Sequence, residues 1–186
     1  MQPEPIHDET LMRQVAHGDR AGLEVLVRRF AGPLAAFVAR LTGDPHRAEE
    51  LVQDVFLTLW QKRGRYTWPR PFKPWLYAIA LNHCRAWLRG PARHSTAPLD
   101  HVPAESASAD GSSPADSAIA AETAGLVGGA IDQLPTAQRA VVLLRVWEGL
   151  SYADVAAAVG CTEGTARSHM HHALASLRKQ LEHHMR

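Results

Sequence analysis

The stretch from Leu134 to Leu181, LPTAQRAVVLLRVWEGLSYADVAAAVGCTEGTARSHMHHALASLRKQL, constrains the fold most, because its punctuation allows only three helices with two short breaks. Pro135 suits a helix start, where its missing N–H removes no bond. Val141, Val142, Leu144, Val146 and Trp147 give the first helix apolar bulk before Gly149 ends it. Ser151 is placed to cap a second helix, with Asp154 three residues on as the return half of a capping box. Val155, Ala156 and Val159 form its buried side, and Gly160 stops it. Thr162 is placed to cap a third, longer helix. A short helix, a tight turn and a longer helix make a helix-turn-helix.

In the third helix, Ala166, Met170, Ala173, Leu174, Leu177 and Leu181 recur at three- and four-residue steps, which predicts one buried stripe. Opposite them stand Glu163, Thr165, Arg167, Ser168, His171 and His172. These hydrogen-bonding side chains occupy the end of the helix that such motifs lay in a major groove. The expectation is therefore DNA contact rather than an ordinary solvated face.

The pieces LPTAQRAVVLLR, EGLSYADVAAAVG and EGTARSHMHHALASLR resemble the fourth conserved region of the extracytoplasmic-function class of bacterial RNA polymerase sigma factors. The resemblance implies that this part binds the minus-thirty-five element of a promoter. The family usually has arginine where this chain has His169 and His172. Neutral histidine gives up phosphate attraction and keeps a directional donor or acceptor. Affinity for DNA is accordingly expected to rise as pH falls through the range where free histidine titrates, about 6.5.

Composition fits a cytoplasmic, nucleic-acid-binding chain only when it is taken segment by segment. Over 186 residues the balance is 20 basic to 19 acidic. The first 93 residues, however, hold 14 basic and 9 acidic side chains. Asp100, Glu105, Asp110, Asp116 and Glu122 cancel that excess, in a stretch between His94 and Gln138 that has no Lys or Arg. Cys84 and Cys161 stand far apart with no paired spacing, as expected in a reducing compartment. No apolar run approaches the roughly 20 residues of a membrane span, and the polar, acidic start MQPEPIHDET is no signal peptide.

The front half reads as further helices after a disordered Met1 to His7. Asp8 is expected to cap a short helix ending at Gly18. Asp19 is expected to cap a long one, bent or split at Gly32-Pro33 and closed by Gly43. Asp44-Pro45 opens a third, with Ala48, Leu51, Val52, Val55, Phe56 and Leu59 inside, ending near Trp60. Its outer side reads as a solvated face. Even so, AEELVQDVFLTLW resembles the sigma-factor segment that docks on the clamp coiled coil of polymerase. That resemblance makes Glu50, Gln53, Asp54, Leu57 and Trp60 the expected contact with core RNA polymerase.

From Lys62 to Arg93 there are eight basic residues, six aromatics and no acid. Cations follow a phosphate backbone, and exposed rings stack on unpaired bases. A duplex hides its base faces, so the mixture points to single-stranded or opening DNA. Some of these rings must serve as core, since Leu76, Ile79 and Ala80 share a helical face with them. Tyr66 and Trp68, in a proline-rich loop, are expected to be more exposed than Trp87. FKPWLYAIALNHCRAWLR also resembles the family's melting and minus-ten segment, with Pro74 and Ala86 as departures. By that resemblance Asn82 and the preceding loop hold a base flipped from the non-template strand, and Trp75 and Tyr77 lie near the melting point. The expected single-strand contacts are Arg65, Tyr66, Trp68, Lys73, Trp75, Tyr77, Asn82, Arg85 and Arg89.

The segment from His94 to about Ala118 is small, polar and acidic, which reads as a flexible linker. It is either simply solvated or, as the resemblance implies, lies in a basic channel of polymerase. A weak helix interrupted by Gly125 and Gly128-Gly129 is expected from Ile119 to Ile131. His83 and Cys84 are adjacent and splay apart on a helix, so they make a poor metal pair. His169, His171, His172, His183 and His184 lack a Cys or carboxylate at metal spacing and read as solvated or DNA-facing.

The expectation is an all-α chain of two small helical domains, residues 8–93 and 119–182, joined by a flexible acidic linker, 94–118. The expected function is an alternative sigma factor with no cofactor, no metal and no catalytic role. Its expected partners are core RNA polymerase, promoter DNA as duplex and as non-template single strand, and the anti-sigma factor that such proteins commonly have. A stand-alone dimeric helix-turn-helix regulator is the rival reading, and it leaves the basic, aromatic stretch unused.

Overall fold

The computed structural model describes residues 6–90 and 125–184, and no strand occurs among them. The expected linker, 94–118, and most of the start expected to be disordered lie outside the described residues. The front unit has four α-helices: α1 (Asp8–Ala16), α2 (Arg20–Thr42), α3 (Pro45–Lys62) and α4 (Phe72–Arg89). A single 3-10 turn, Arg63–Arg65, follows α3. The back unit has α5 (125–132), α6 (Thr136–Val142), a π turn at Leu143–Trp147, α7 (Tyr152–Val159) and α8 (Glu163–His184).

Local chemistry sets most of these boundaries. The Asp19 carboxylate accepts the Ala21 N–H at the start of α2, and Gly43 ends that helix at φ +75°. Asp44 is buried and accepts the His46 and Arg47 N–H groups at 3.0 and 3.1 Å, which fixes the start of α3. One expectation fails here and another is narrowed. Asp8 is the first residue of α1 rather than its cap, and its carboxylate instead meets the Arg29 guanidinium at 2.7 Å. The long helix is not split: α2 runs unbroken through Pro33. Gly32 and Pro33 are both exposed, so the Arg29 carbonyl that loses its bond faces water.

Leu26, Leu34, Phe37 and Leu41 of α2 interlock with Leu59 of α3 and Leu76, Tyr77 and Leu81 of α4, all fully or almost fully buried. Phe37 meets the Tyr77 ring edge-on at 5.0 Å, and Phe30 meets Phe72 at 5.3 Å. In the back unit Ala166, Met170 and Ala173 of α8 close over Val141, Leu144 and Val155. Leu174 departs from the predicted stripe and is exposed. One residue past Ala173, it points about 100° away from the buried line. Helix α5 passes through Gly128-Gly129 without the expected interruption; Ile131 in its last turn and Leu134 just beyond it are buried.

The two units are packed together. Helix α4 lies along α7, and α2 touches α6. Arg139 donates to the Leu41 carbonyl at 3.2 Å, and the Arg40 guanidinium sits 5.5 Å from the Trp147 ring centre.

Candidate functional site

The surface expected to read the upstream element is built by two caps and a turn. Ser151 Oγ accepts the Asp154 N–H at 3.1 Å, which caps α7, and donates to the Asp154 carboxylate at 2.6 Å, so that carboxylate meets the hydroxyl. Gly160 takes φ +79° and turns the chain. Thr162 Oγ1 then accepts the Thr165 N–H at 3.1 Å and starts α8. Glu163, Thr165, Arg167, Ser168, His171 and His172 are all exposed along the first turns of α8. Arg167 pairs with Glu163, and the His171 and His172 rings stand edge to face, 5.8 Å apart.

Two residues missed in the sequence belong to this surface. Two guanidinium groups lie over the Tyr152 ring, Arg167 at 4.4 Å and Arg145 at 5.2 Å from its centre. The stack holds the Arg167 head against the start of α7. Arg145 and Tyr152 belong to different elements, and only the turn at Gly149 brings them together, so no spacing rule would have found them.

The front unit divides its aromatics differently from the expectation. Trp68 is 50% exposed, as expected, but Tyr66 is buried, contrary to expectation. Its ring packs edge-on against Trp75 at 5.4 Å and Phe72 at 6.4 Å, and its hydroxyl donates to the Arg70 carbonyl. The hydroxyl is thereby satisfied inside the loop, and burial, with Glu9 nearby, pushes its pKa up to about 12. Tyr77 is completely buried, so it presents no ring to a base in this arrangement. Burial first, and then the neighbouring Glu148 carboxylate, drives its pKa upward. Trp75 and Trp87 are half-buried. Arg65, Asn82 and Arg89 are exposed.

Lys73 and Arg85 point to the back unit. Lys73 Nζ donates to the Glu148 carbonyl at 2.7 Å and lies 3.1 Å from its carboxylate. Arg85 donates to the Val159 carbonyl at 3.1 Å, at the C-terminal end of α7 where a cation suits the helix dipole. The residues expected to hold an opened strand therefore form two groups. Arg65, Trp68, Asn82 and Arg89 stay free to solvent, while Lys73, Tyr77 and Arg85 face the back unit.

On α3, Glu50, Gln53, Asp54 and Leu57 are exposed and Trp60 is half-buried, at three- and four-residue steps that give a single stripe. Leu57 is 55% exposed, a large apolar side chain beside a shallow groove lined by Leu23, Phe56 and Trp60. The Arg63 guanidinium covers Trp60 at 4.2 Å and donates to its carbonyl. His83 is tied to Thr58 at 2.9 Å across α3 and α4. Its neighbour Cys84 is fully buried, which raises its thiol pKa to about 12. Among the described residues no three His, Cys, Asp or Glu side chains cluster as metal ligands, and no helix is long and apolar enough to cross a membrane.

Two family models match the chain, one in each unit. Residues 26–94 match the family model for Sigma-70 region 2, and residues 125–177 match that for Sigma-70, region 4. The chain is 30% identical over 183 residues to RNA polymerase sigma-H factor of Pseudomonas aeruginosa, covering 94% of each. It is 30% identical over 173 residues to ECF RNA polymerase sigma-E factor of Escherichia coli K12, covering 89% of each. Among solved structures, CnrH in complex with the cytosolic domain of CnrY superposes with a TM-score of 0.68 at 25% identity, covering 94% of this chain and 97% of that one. The sigma factor RpoE in complex with the anti-sigma factor NepR from Bartonella quintana gives the same TM-score and identity, over 86% of this chain and 96% of that one. With both conserved regions present in order and relatives matching along nearly the whole length, the chain is a sigma-70 RNA polymerase sigma factor of the extracytoplasmic-function (ECF) group.

Proposed function

We propose that this sigma factor joins core RNA polymerase through the Glu50, Gln53, Asp54, Leu57 and Trp60 stripe of α3. It holds the opened non-template strand with the loop and outer face around α4, using Arg65, Trp68, Lys73, Trp75, Asn82, Arg85 and Arg89. It inspects the intact upstream element with Glu163, Thr165, Arg167, Ser168, His171 and His172 of α8. The functional units are residues 8–93 and 119–182, with 94–118 as the acidic tether. The protein acts in the bacterial cytoplasm and supplies binding energy, while polymerase supplies the chemistry. The solved relative RpoE was captured with the anti-sigma factor NepR, which supports an anti-sigma partner for this chain as well.

The observation that carries this reading is the pairing of two unlike surfaces on one chain. An exposed indole stands in a stretch of sequence, Lys62 to Arg93, with eight basic residues and no acid of its own, which suits unpaired bases. A capped helix with a solvent-facing polar first turn suits a major groove. Run-off transcription with core polymerase on a promoter library tests it. Discrete transcripts that require this protein are expected; failure to join core, or to direct any transcript, would reject the assignment.

A further inference from the structure

Helix α1 drew no functional expectation, yet one face of it braces the loop that carries Trp68. Glu9 and Arg13 lie one turn apart on α1, on the side away from the buried Leu11, Met12 and Val15. Glu9 Oε1 accepts the Phe72 N–H at 3.1 Å. Phe72 is the first residue of α4, whose own flanking residue is Pro71 and which has no side-chain cap of its own. Glu9 therefore supplies, from another helix, the acceptor that a capping residue would normally provide. One turn on, the Arg13 guanidinium lies 5.3 Å from the centre of the Trp68 ring. The loop between is closed on itself: Arg70 N–H donates to the Thr67 carbonyl at 2.9 Å, and Tyr66 Oη donates to the Arg70 carbonyl. Trp68 takes no part in the ring pairs that Tyr66, Phe72 and Trp75 make among the described residues. Its indole touches a cation on one side and stays half exposed.

We propose that Arg13 and Trp68 form one composite site for an unpaired nucleotide of the opened strand, the indole taking the base and the guanidinium its phosphate, with Glu9 as the positioning residue that fixes the loop. The proposal rests on the reading that this loop meets single-stranded DNA. A ring alone would stack on a base but would not attract the chain that carries it. A guanidinium seated over one face of the ring leaves the other face to the base and keeps its charge within reach of that nucleotide's phosphate. Exposed Arg65 and Arg70 extend the positive field. The Glu9 carboxylate is the acid beside it, and the Phe72 N–H engages one of its oxygens.

The test uses the full chain with core polymerase and the promoter recovered from the template library, once as intact duplex and once with its downstream element premelted. Arg13→Ala and Trp68→Ala are each expected to weaken binding to the premelted template about tenfold, the loss of one base stack. The double variant should lose no more than either single one, since the two residues act as a unit. Arg13→Lys, which keeps the charge without the planar fork, should recover part of the loss. Affinity for core polymerase and the thermal midpoint should not move, which separates this outcome from damage to the fold. Independent, additive losses, or unchanged binding by Arg13→Ala, would overturn the composite site while leaving the sigma-factor reading intact. A wild-type holoenzyme that ignores the premelted template would overturn both.

Discussion

Lys73 Nζ is held by Glu148 twice, by the backbone carbonyl at 2.7 Å and by the carboxylate at 3.1 Å. The Glu148 side chain is 10% exposed and that of Lys73 is 35%, so the pair is partly withdrawn from water. Lys73 is also one of the cations proposed to follow the opened strand, so it cannot serve both partners together. Removing the acid should leave Lys73 without its ion pair and loosen the closed arrangement. Glu148→Ala is expected to increase the radius of gyration of the free protein in small-angle scattering, with a larger shift when combined with Arg85→Ala. Unchanged scattering for the double variant would mean that the apolar contact between α4 and α7 suffices to keep the units together.

The two proposed interfaces should separate by mutation. Leu57 is exposed and Arg167 stands on the opposite unit, so neither supports the core. Leu57→Asp is expected to weaken core-polymerase binding by tenfold or more, on the order of the 1.4 kcal/mol or greater lost at an apolar anchor, with upstream DNA binding unchanged. Arg167→Ala should do the reverse and flatten the salt dependence of DNA binding. Titration of each variant with labelled core enzyme and with upstream duplex provides the check.

The turn between α7 and α8 is set by backbone requirements that single substitutions can probe. Ser151→Ala removes the acceptor for the Asp154 N–H and should cost about 1 kcal/mol. Gly160→Ala places a Cβ at φ +79°, where the added atom meets no neighbour but the backbone itself is strained, and should cost roughly 1–2 kcal/mol. Both should appear as a lower denaturation midpoint of the back unit.

Burial of Cys84 makes a pH prediction with a definite sign. Its thiol pKa rises from 9.0 to about 12 on folding, so between those values the folded state binds more protons than the unfolded state. Its contribution is complete below pH 9 and is lost as pH climbs toward 12. Stability should therefore fall with pH in that window, and Tyr66 should add to the slope above pH 10. Cys84→Ala is expected to flatten the first part of the decline in denaturant titrations at stepped pH. At pH 8 the buried Cys84 thiol should resist alkylation while half-buried Cys161 reacts.

Sequence made the back unit legible because its signals are local. Ser151, Gly160 and Thr162 each act within four residues, and each appears in the structure as cap or turn. The same locality made the start of α3 readable from Asp44-Pro45. Tyr66 was misplaced because its burial depends on a loop folding back over Phe72 and Trp75, which composition does not encode. Tyr77 and Lys73 were read as free because the residue that meets them, Glu148, lies far along the chain. Pro33 does not split α2, because a proline on an exposed helix face leaves one carbonyl to water and need not break the helix. Arg13 and Glu9 escaped notice because helical periodicity assigns a polar pair on a short helix to solvent, and only the placement of Trp68 and Phe72 gives them partners.

The most direct measurement of the central claim is a paired footprint of the holoenzyme on a promoter recovered from the library. The account predicts an upstream patch that stays double-stranded and is shielded from nuclease. It also predicts a downstream patch whose thymines become reactive to permanganate, with Trp68→Ala lowering only the second signal and Arg167→Ala weakening the first. A single protected duplex patch with no strand opening, or opening unaffected by Trp68→Ala, would contradict it.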